Sequence, residues 1–174
     1  MTTATVMSDP GAGFASMSDQ EVIVRRARTE DIPGIVVSSS RLFAEDGGER
    51  DPGLNVDWPR EYGAEAFAAV QRDPGRLLLA ALHGDEVVGH LSGATAGASA
   101  MRPVVSATLM ALHVRPEYRR GRVGARLVDG FLAWARERGA AYAEVTASAA
   151  NADGTRFHER ELFRPQALTL RLNL

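Results

Sequence analysis

The chain contains no cysteine and no lysine, so all twenty of its basic residues are arginine. Without cysteine there is no disulfide, no thiolate ligand for zinc and no cysteine nucleophile, and the redox compartment stays open. Without lysine there is no Schiff-base nucleophile and no phosphate-binding loop ending in Gly-Lys-Ser/Thr. Any catalysis must therefore depend on other groups.

Long apolar runs and a strong net charge are also missing. No run approaches the ~20 apolar residues that span a membrane, and residues 1–20 lack the basic and apolar regions of a signal peptide. A net charge of −2 argues against a generally basic, nucleic-acid-binding surface. We therefore expect a cytoplasmic protein with no membrane or nucleic-acid partner, in which any anion site is local.

The composition is that of a globular domain, with 45% hydrophobic and 24% charged residues. Residues 1–20 are small, polar and aperiodic, which predicts a disordered N-terminal extension. Residues 21–174 are then expected to form one domain.

Apolar periodicity and turn residues predict the elements of this domain. Strands are expected at 21–27, 76–95 (a hairpin turning at Gly84 and Asp85), 104–114, 140–149 and 166–174, and helices at 29–45, 61–72, 123–138 and 152–161. On the third helix one face carries Val123, Leu127, Phe131 and Trp134. The strand–helix–strand unit at 104–149 is long enough for a right-handed parallel crossover, which places the turn after the first of these strands at a helix N-terminus.

The turn that enters the third helix is rich in arginine and glycine. Residues 113–128, HVRPEYRRGRVGARLV, hold five arginines and two glycines. A helix N-terminus exposes about four unpaired N–H groups and attracts anions. Glycine lets a ligand approach the backbone, and arginine donors fit phosphate oxygens. These features favour a pyrophosphate cradle and a solvated turn about equally.

Two motifs resemble those of the GNAT superfamily of N-acetyltransferases. VRPEYRRGRVGARLV (114–128) is similar to the family's Gln/Arg-x-x-Gly-x-Gly/Ala, with Arg119 in first place, Arg122 where the first glycine is usual, and Gly124 in the second glycine's place. NADGTRFHERELFRP (151–165) is similar to Asn-x-x-Ala-x-x-Phe-Tyr-x-x-x-Gly-Phe. In that segment Asn151, Phe157 and Phe163 match, whereas Gly154, His158 and Leu162 depart.

The resemblance covers nearly the whole domain and implies its architecture. It predicts an α/β fold (α+β in some schemes) built on a mixed, mostly antiparallel central sheet. A parallel strand–helix–strand core and helices on both faces complete this arrangement. It also favours a homodimer.

The resemblance implies acetyl-CoA as cosubstrate and no metal. The pyrophosphate would lie on the main-chain amides of the turn, the pantetheine along the end of the preceding strand, and Asn151 against the pantetheine arm. The implied cofactor-binding residues are Leu112, His113, Val114, Arg119, Arg120, Gly121, Arg122, Val123, Gly124, Ala125, Asn151 and Phe157. For Asn151 an ordinary helix N-cap is the alternative.

Direct transfer to a bound primary amine is expected, since the chain has no cysteine and no Gly-x-Ser-x-Gly nucleophile elbow. The family often protonates the leaving thiolate with the tyrosine at the position of His158. An imidazolium is a stronger acid than a phenol, so His158 is the candidate acid provided that it stays charged. The alternative places His158 on the helix surface with no catalytic role.

No carboxylate lies on the strand at 107–114 to act as base. His113 is the nearest titratable group, but strand alternation places it opposite Leu112 and Val114, which favours a structural histidine. His90 on the neighbouring strand and deprotonation through water remain open.

The loop between the first two helices is acidic, with Glu45, Asp46, Glu49, Asp51 and Asp57. In this family that region forms much of the acceptor pocket, and a carboxylate cluster would favour a cationic small-molecule or peptide amine. A solvated loop of the same composition is the simpler interpretation.

Three functions are therefore compared. The leading one is a cytoplasmic, acetyl-CoA-dependent N-acetyltransferase. A non-catalytic acyl-CoA-binding sensor or scaffold is the alternative, suggested by the replaced tyrosine and the missing strand carboxylate. A nucleic-acid contact by the arginine turn is disfavoured by the net charge of −2.

Overall fold

A computed structural model describes residues 21–47 and 50–172 of the chain. Its strands are β1 (Ile23–Arg26), β2 (Arg76–His83), β3 (Glu86–Ala96), β4 (Val105–Val114) and β5 (Ala140–Val145). Its helices are α1 (Ile32–Asp46), α2 (Trp58–Arg72), α3 (Val123–Glu137) and α4 (Ala152–Arg160), and 3-10 turns precede α1 at Thr29–Asp31 and follow β4 at Pro116–Tyr118. The predicted N-terminal extension, 1–20, lies outside the described residues.

The five strands form one sheet in the order β1-β2-β3-β4-β5. Neighbours are antiparallel except for β4 and β5, which are parallel and joined through α3. The hairpin between β2 and β3 turns at Gly84, whose φ of 60° lies in the left-handed region that glycine adopts without strain. The predicted mixed, mostly antiparallel sheet with a parallel crossover is confirmed.

Helices cover both faces of the sheet. On one face, α3 buries Leu127, Phe131 and Trp134 against strand residues such as Leu91. On the other face, α1 and α2 form a second cluster centred on residues such as Ile35. Each fully buried side chain of this size contributes roughly 1.5–3 kcal/mol, so this packing fixes the positions of α1 and α3 at the end of β4.

Two predicted boundaries differ. The second helix begins at Trp58 rather than 61, because Pro59 fits in its first turn, where no N–H donor is needed. The strand predicted at 140–149 ends at Val145, so residues 146–148 are not part of the sheet.

The predicted final strand at 166–174 is wrong over the residues that the structure describes, 166–172, which adopt no regular secondary structure. Leu168, Leu170 and Leu172 are 80–84% exposed there. The alternation of leucine predicted a strand, but alternation cannot supply the partner strand that pairs its backbone.

Candidate functional site

β4 and β5 separate part of the way along their length. Their last paired residues are Leu109 and Val145, whereas β4 continues to Val114. On its other side β4 remains paired with β3, but Ala111 is opposite Ser92 and Leu109 is opposite Gly93, which leaves Met110 as a bulge. Beyond Leu109, the edge of β4 that faces β5 therefore has no partner in that strand.

A groove of about 1110 Å³ opens at this separation. Its walls are the end of β4, the turn into α3, α4 and the end of α1. The predicted site residues that line it are Leu112, His113, Val114, Arg119, Arg120, Arg122, Gly124, Ala125, Asn151, Phe157 and His158. Two others do not line it: Gly121 is exposed on the turn, and the Val123 side chain is buried in the core.

The turn of residues 119–125, which we call the cradle, leaves most of its amides free. The Arg119 amide donates to the Pro116 carbonyl at 3.2 Å, and the Arg126 amide donates to the Arg122 carbonyl at 2.9 Å. Within the described part of the chain, the amides from Arg120 to Ala125 donate to no protein acceptor. A helix start of this kind attracts anions.

Left-handed backbone shapes the cradle at arginines rather than at glycine. Arg120 has a φ of 68° and Arg122 a φ of 61°, whereas Gly121 between them is not left-handed. Backbone that alternates in handedness aims successive N–H groups into one concave anion site. The left-handed backbone of this turn therefore lies at Arg120 and Arg122, and Arg122 carries strain at the place where the family motif has glycine.

Gly124 has a packing role that its sequence context did not indicate. A Cβ atom at Gly124 would lie 3.2 Å from the Phe157 ring, so the missing side chain lets α3 and α4 approach closely. This contact brings Phe157 and the neighbouring His158 against the cradle.

The arginines of the cradle differ in their partners. Arg119 Nε donates to the Val114 carbonyl at 2.8 Å, and its Nη2 donates to both Glu45 carboxylate oxygens at 2.8 and 2.9 Å. The exposed side chains of Arg120 and Arg122 make no salt bridge within the described residues. Arg119 is thus held in place, while the other two stay available to an anion.

Asn151 is the N-cap of α4. Its Oδ1 accepts from the Gly154 amide at 2.9 Å, which confirms the helix-capping interpretation of this residue. Because Asn151 also lines the groove, capping holds its side chain at the groove wall.

His158 lies half-buried on α4, between two aromatic rings. Its ring centroid is 5.2 Å from that of Phe157 and 5.7 Å from that of Phe163, both in edge-to-face arrangements. Burial lowers the pKa of His158 below its ordinary 6.5. The neutral imidazole therefore predominates at pH 7, whereas the sequence hypothesis required the charged form.

Two histidines and a serine form a buried chain on the α1 side of the sheet. His90 on β3 and His113 on β4 are opposite each other, and both Nδ1 atoms lie within hydrogen-bond distance of Ser38 Oγ, at 2.8 and 2.9 Å. The three residues are 0–3% exposed. His113 is thus a structural strand histidine that also reaches the groove, while His90 does not line it.

Burial lowers the pKa of both histidines. The pKa of His90 falls to about 3, because the ring is fully enclosed and lies near His113. Burial also lowers the pKa of His113, although Glu45, at 3.4 Å from its Nε2, acts in the opposite direction. Sequence reasoning did not find Ser38, which lies in the run SSS of α1; a serine on the inner face of an amphipathic helix was the available indication.

The acidic loop offers no free carboxylate cluster among its described members. Each of these carboxylates pairs with an arginine: Glu45 with Arg119, Asp46 with Arg50, Asp51 with Arg171 and Asp57 with Arg60. Glu49 lies outside the described residues. The hypothesis that a free carboxylate cluster selects a cationic acceptor gains no support from these pairs.

No helix in the described ranges has the length and apolar character to cross a membrane. Over the same ranges, histidine and carboxylate side chains form no group of three that could hold a metal ion.

Solved structures of low sequence identity share this fold. A mutant of the BH1408 protein from Bacillus halodurans is 15% identical with a TM-score of 0.80, covering 87% of this chain and 99% of its own. A predicted acetyltransferase with acetyl-CoA from Clostridium acetobutylicum is 17% identical with a TM-score of 0.70, covering 88% and 96%. An aminoglycoside acetyltransferase in complex with sisomicin, from an uncultured soil metagenomic sample, is 14% identical with a TM-score of 0.67, covering 88% and 96%.

No curated protein matches the chain. The family model for the acetyltransferase (GNAT) family matches residues 42–162, which is more than half of the chain and spans the groove from the end of α1 to α4. Together with the separated parallel strands and the free amides of the cradle, this match shows that the chain belongs to the GNAT family of acetyltransferases.

Proposed function

We propose that the protein is an N-acetyltransferase that moves an acetyl group directly from acetyl-CoA to a primary amine of a small molecule or peptide. The observation that carries this proposal is the set of free amides from Arg120 to Ala125 at the mouth of the groove. A diphosphate matches such a site, because backbone donors and the helix N-terminus both favour negative charge.

The groove residues fit the parts of acetyl-CoA. In the proposal the cradle amides hold the diphosphate, with the exposed Arg120 and Arg122 adding charge. The pantetheine arm lies along β4 between Met110 and Val114, where no β5 residue pairs with the strand. The Val114 carbonyl already accepts from Arg119, so backbone pairing with the arm falls to the residues before it.

The proposed reaction needs no covalent enzyme intermediate. The lone pair of the neutral amine attacks the thioester carbonyl carbon, the new C–N bond forms, and the C–S bond breaks. The nitrogen gives up one proton and the leaving thiolate takes one up, so the products are the acetamide and CoA. We propose that His158, on the groove wall beside Phe157, donates the proton to the thiolate.

The His158→Phe variant tests this assignment, since phenylalanine keeps the packing between Phe157 and Phe163. We expect kcat to fall by about 10²-fold, as for loss of a general acid, with little change in the Kd for acetyl-CoA. Because burial lowers the pKa of His158, the charged acid becomes more populated as the pH falls. Unchanged turnover at neutral pH would remove His158 from this role.

The class of the acceptor amine is proposed from a structural neighbour. One structural neighbour is an aminoglycoside acetyltransferase in complex with sisomicin, which supports a small-molecule amine as the first class to test. The paired carboxylates near α1 give no separate support for a cationic amine. The cytoplasmic location and the homodimer stay predictions.

A non-catalytic acyl-CoA sensor is the second candidate. It is favoured by the neutral state of His158 at pH 7 and by the lack of a carboxylate on β4. Both functions require acetyl-CoA to bind, so only turnover separates them.

The direct test measures thiol release from acetyl-CoA against a panel of aminoglycosides, polyamines and peptide amines, together with a calorimetric titration of acetyl-CoA. We expect binding, and release that depends on one class of amine. Binding without turnover on every amine would support the sensor. A protein that does not bind acetyl-CoA would contradict both proposals.

A further inference from the structure

A line of polar groups runs from the buried layer between α1 and the sheet to the cradle. It starts at His90, passes through Ser38 and His113, and ends at Glu45 and Arg119. We call His90, Ser38 and His113 the histidine chain. These three residues are almost fully buried, whereas the side chains of Glu45 and Arg119 are 41% and 45% exposed at the groove.

The single hydroxyl proton of Ser38 restricts the direction of these hydrogen bonds. Ser38 can donate to at most one histidine and accepts from the other; if it accepted from both, a bare His113 Nε2 would face the Glu45 carboxylate. If it donated to His90, the buried His90 Nε2 would carry a proton with no acceptor among the described residues, and a bare His113 Nε2 would face the Glu45 carboxylate. Both consequences are unfavourable, and an unpaired buried donor costs about 1–3 kcal/mol.

The opposite direction leaves no proton on the enclosed His90 Nε2. His90 Nδ1–H donates to Ser38 Oγ, whose hydroxyl donates to His113 Nδ1. The proton of His113 then lies on Nε2, which is 3.4 Å from Glu45 Oε1 and makes no hydrogen bond within the described residues, so its contact with the carboxylate is electrostatic. The donors of these hydrogen bonds are therefore directed from His90 towards Glu45, with a proton placed beside its carboxylate.

Glu45 in turn fixes the plane of the Arg119 guanidinium. Nη2 donates to both carboxylate oxygens and Nε donates to the Val114 carbonyl. Over the described ranges Arg119 Nη1 has no protein acceptor, and Arg119 lines the groove beside the free amides of the cradle. The guanidinium is thus held on two of its three nitrogens, with the third left over.

We propose that the histidine chain and Glu45 are positioning residues that orient Arg119, so that its Nη1 joins the cradle amides in binding the diphosphate of the coenzyme. This inference rests on the proposed function, because it requires CoA to bind in the groove. The histidine chain then has a role besides filling the core, because it connects the α1 side of the molecule to the anion site.

The direction in which one substitution changes the affinity for CoA distinguishes a positioning role from a simple effect of charge. Removing a negative charge next to an anion site should tighten CoA binding by electrostatics alone. Positioning predicts the opposite for Glu45→Gln, because the amide no longer holds Arg119 by charge-assisted hydrogen bonds. Asp46→Asn is the matched control, since Asp46 precedes the same loop, lines the same groove and pairs with Arg50 instead.

The experiment titrates CoA into the wild type, Glu45→Gln, Asp46→Asn, Ser38→Ala, Arg119→Ala and the double variant Glu45→Gln/Arg119→Ala by calorimetry. For Glu45→Gln we expect a Kd about tenfold higher, the size of one charge-assisted hydrogen bond. Ser38→Ala should raise Kd by a smaller factor, and Asp46→Asn should leave it unchanged or lower it. In the Arg119→Ala background, Glu45→Gln should cause no further weakening.

Steady-state kinetics distinguish a positioning role from a purely structural one, because the two roles change KM and kcat differently. Loss of Arg119 orientation should raise KM for acetyl-CoA and leave kcat nearly unchanged. If Ser38→Ala does not fold, Glu45→Gln still decides, because the Glu45 side chain is 41% exposed.

The two proposals fail in different ways. A wild type that does not bind CoA contradicts the proposed function itself. A wild type that binds CoA, with Glu45→Gln binding it equally or more tightly, overturns the positioning role and leaves the proposed function intact. Equal weakening by Glu45→Gln with and without Arg119 also overturns it.

Discussion

Arg122 carries a conformational cost in the turn that we propose as the anion site. Its φ of 61° is left-handed, which costs a non-glycine residue about 1–2 kcal/mol. We expect Arg122→Gly to raise the free energy of unfolding by about 1 kcal/mol, or the melting temperature by about 2–4 °C. Thermal and denaturant unfolding measure this change.

The matched control is Arg136→Gly in the last turn of the same helix. Arg136 is exposed in ordinary helical backbone, where glycine destabilises by up to about 1 kcal/mol. The two substitutions remove the same side chain and should have opposite signs. Equal destabilisation by both would contradict the strain assigned to Arg122.

His90 makes stability depend on pH. Its folded pKa of about 3 lies below the unfolded value of 6.5, so protonation favours the unfolded chain. The contribution of neutral His90 to the free energy of unfolding is complete above pH 6.5. It is lost as the pH falls towards 3, by up to about 1.4 kcal/mol per pH unit. We expect denaturant unfolding between pH 7 and 4.5 to show this slope, reduced in His90→Gln.

The slope of the variant is not expected to vanish, because burial also lowers the pKa of His113 and His158. An equal dependence of stability on pH in His90→Gln and in the wild type would show that the pKa of His90 is not lowered in the folded protein.

Among the elements, β3 and α3 meet at a glycine. A Cβ atom at Gly93 would lie 2.8 Å from two ring atoms of the fully buried Phe131. We expect Gly93→Ala to destabilise the protein by about 1–3 kcal/mol through overpacking, as measured by denaturant unfolding. Gly97→Ala, where a Cβ meets nothing within 4 Å, should have a much smaller effect. Comparable losses at both positions would contradict this packing.

The elements that the sequence predicted well are those with strong local patterns. The apolar face of Val123, Leu127, Phe131 and Trp134 is buried as expected, and the turn before it starts a helix with free amides. The strand–helix–strand unit followed from the length between two apolar segments. In each case neighbouring residues alone determine the outcome.

Features that depend on distant partners were not predicted. The bulge at Met110 arises from the register of β4 against β3, although Gly93 inside the strand was an available indication. The histidine chain joins α1, β3 and β4 through Ser38, and periodicity gives no distance between such positions. The lowered pKa of His158 follows from burial, which depends on how α4 packs against the rest of the fold.

At the scale of the whole molecule, the net charge of −2 does not attract anions, so the proposed binding of acetyl-CoA depends on the local arrangement at the cradle. The sheet, α3 and α4 create this arrangement together, because β4 separates from β5 where α3 begins and α4 covers the groove. We therefore propose that the cradle, rather than overall charge, binds the coenzyme.

Calorimetric titration of acetyl-CoA into two charge-reversal variants tests this claim most directly. Arg120→Glu/Arg122→Glu reverses the exposed arginines of the cradle, and Arg136→Glu/Arg138→Glu makes the same change in net charge at the far end of α3. We expect the first variant to bind acetyl-CoA about 10²-fold or more weakly, because two phosphate contacts become repulsive, and the second variant to bind it like the wild type. Equal affinity in the wild type and both variants would show that the cradle arginines do not contribute to binding of the coenzyme.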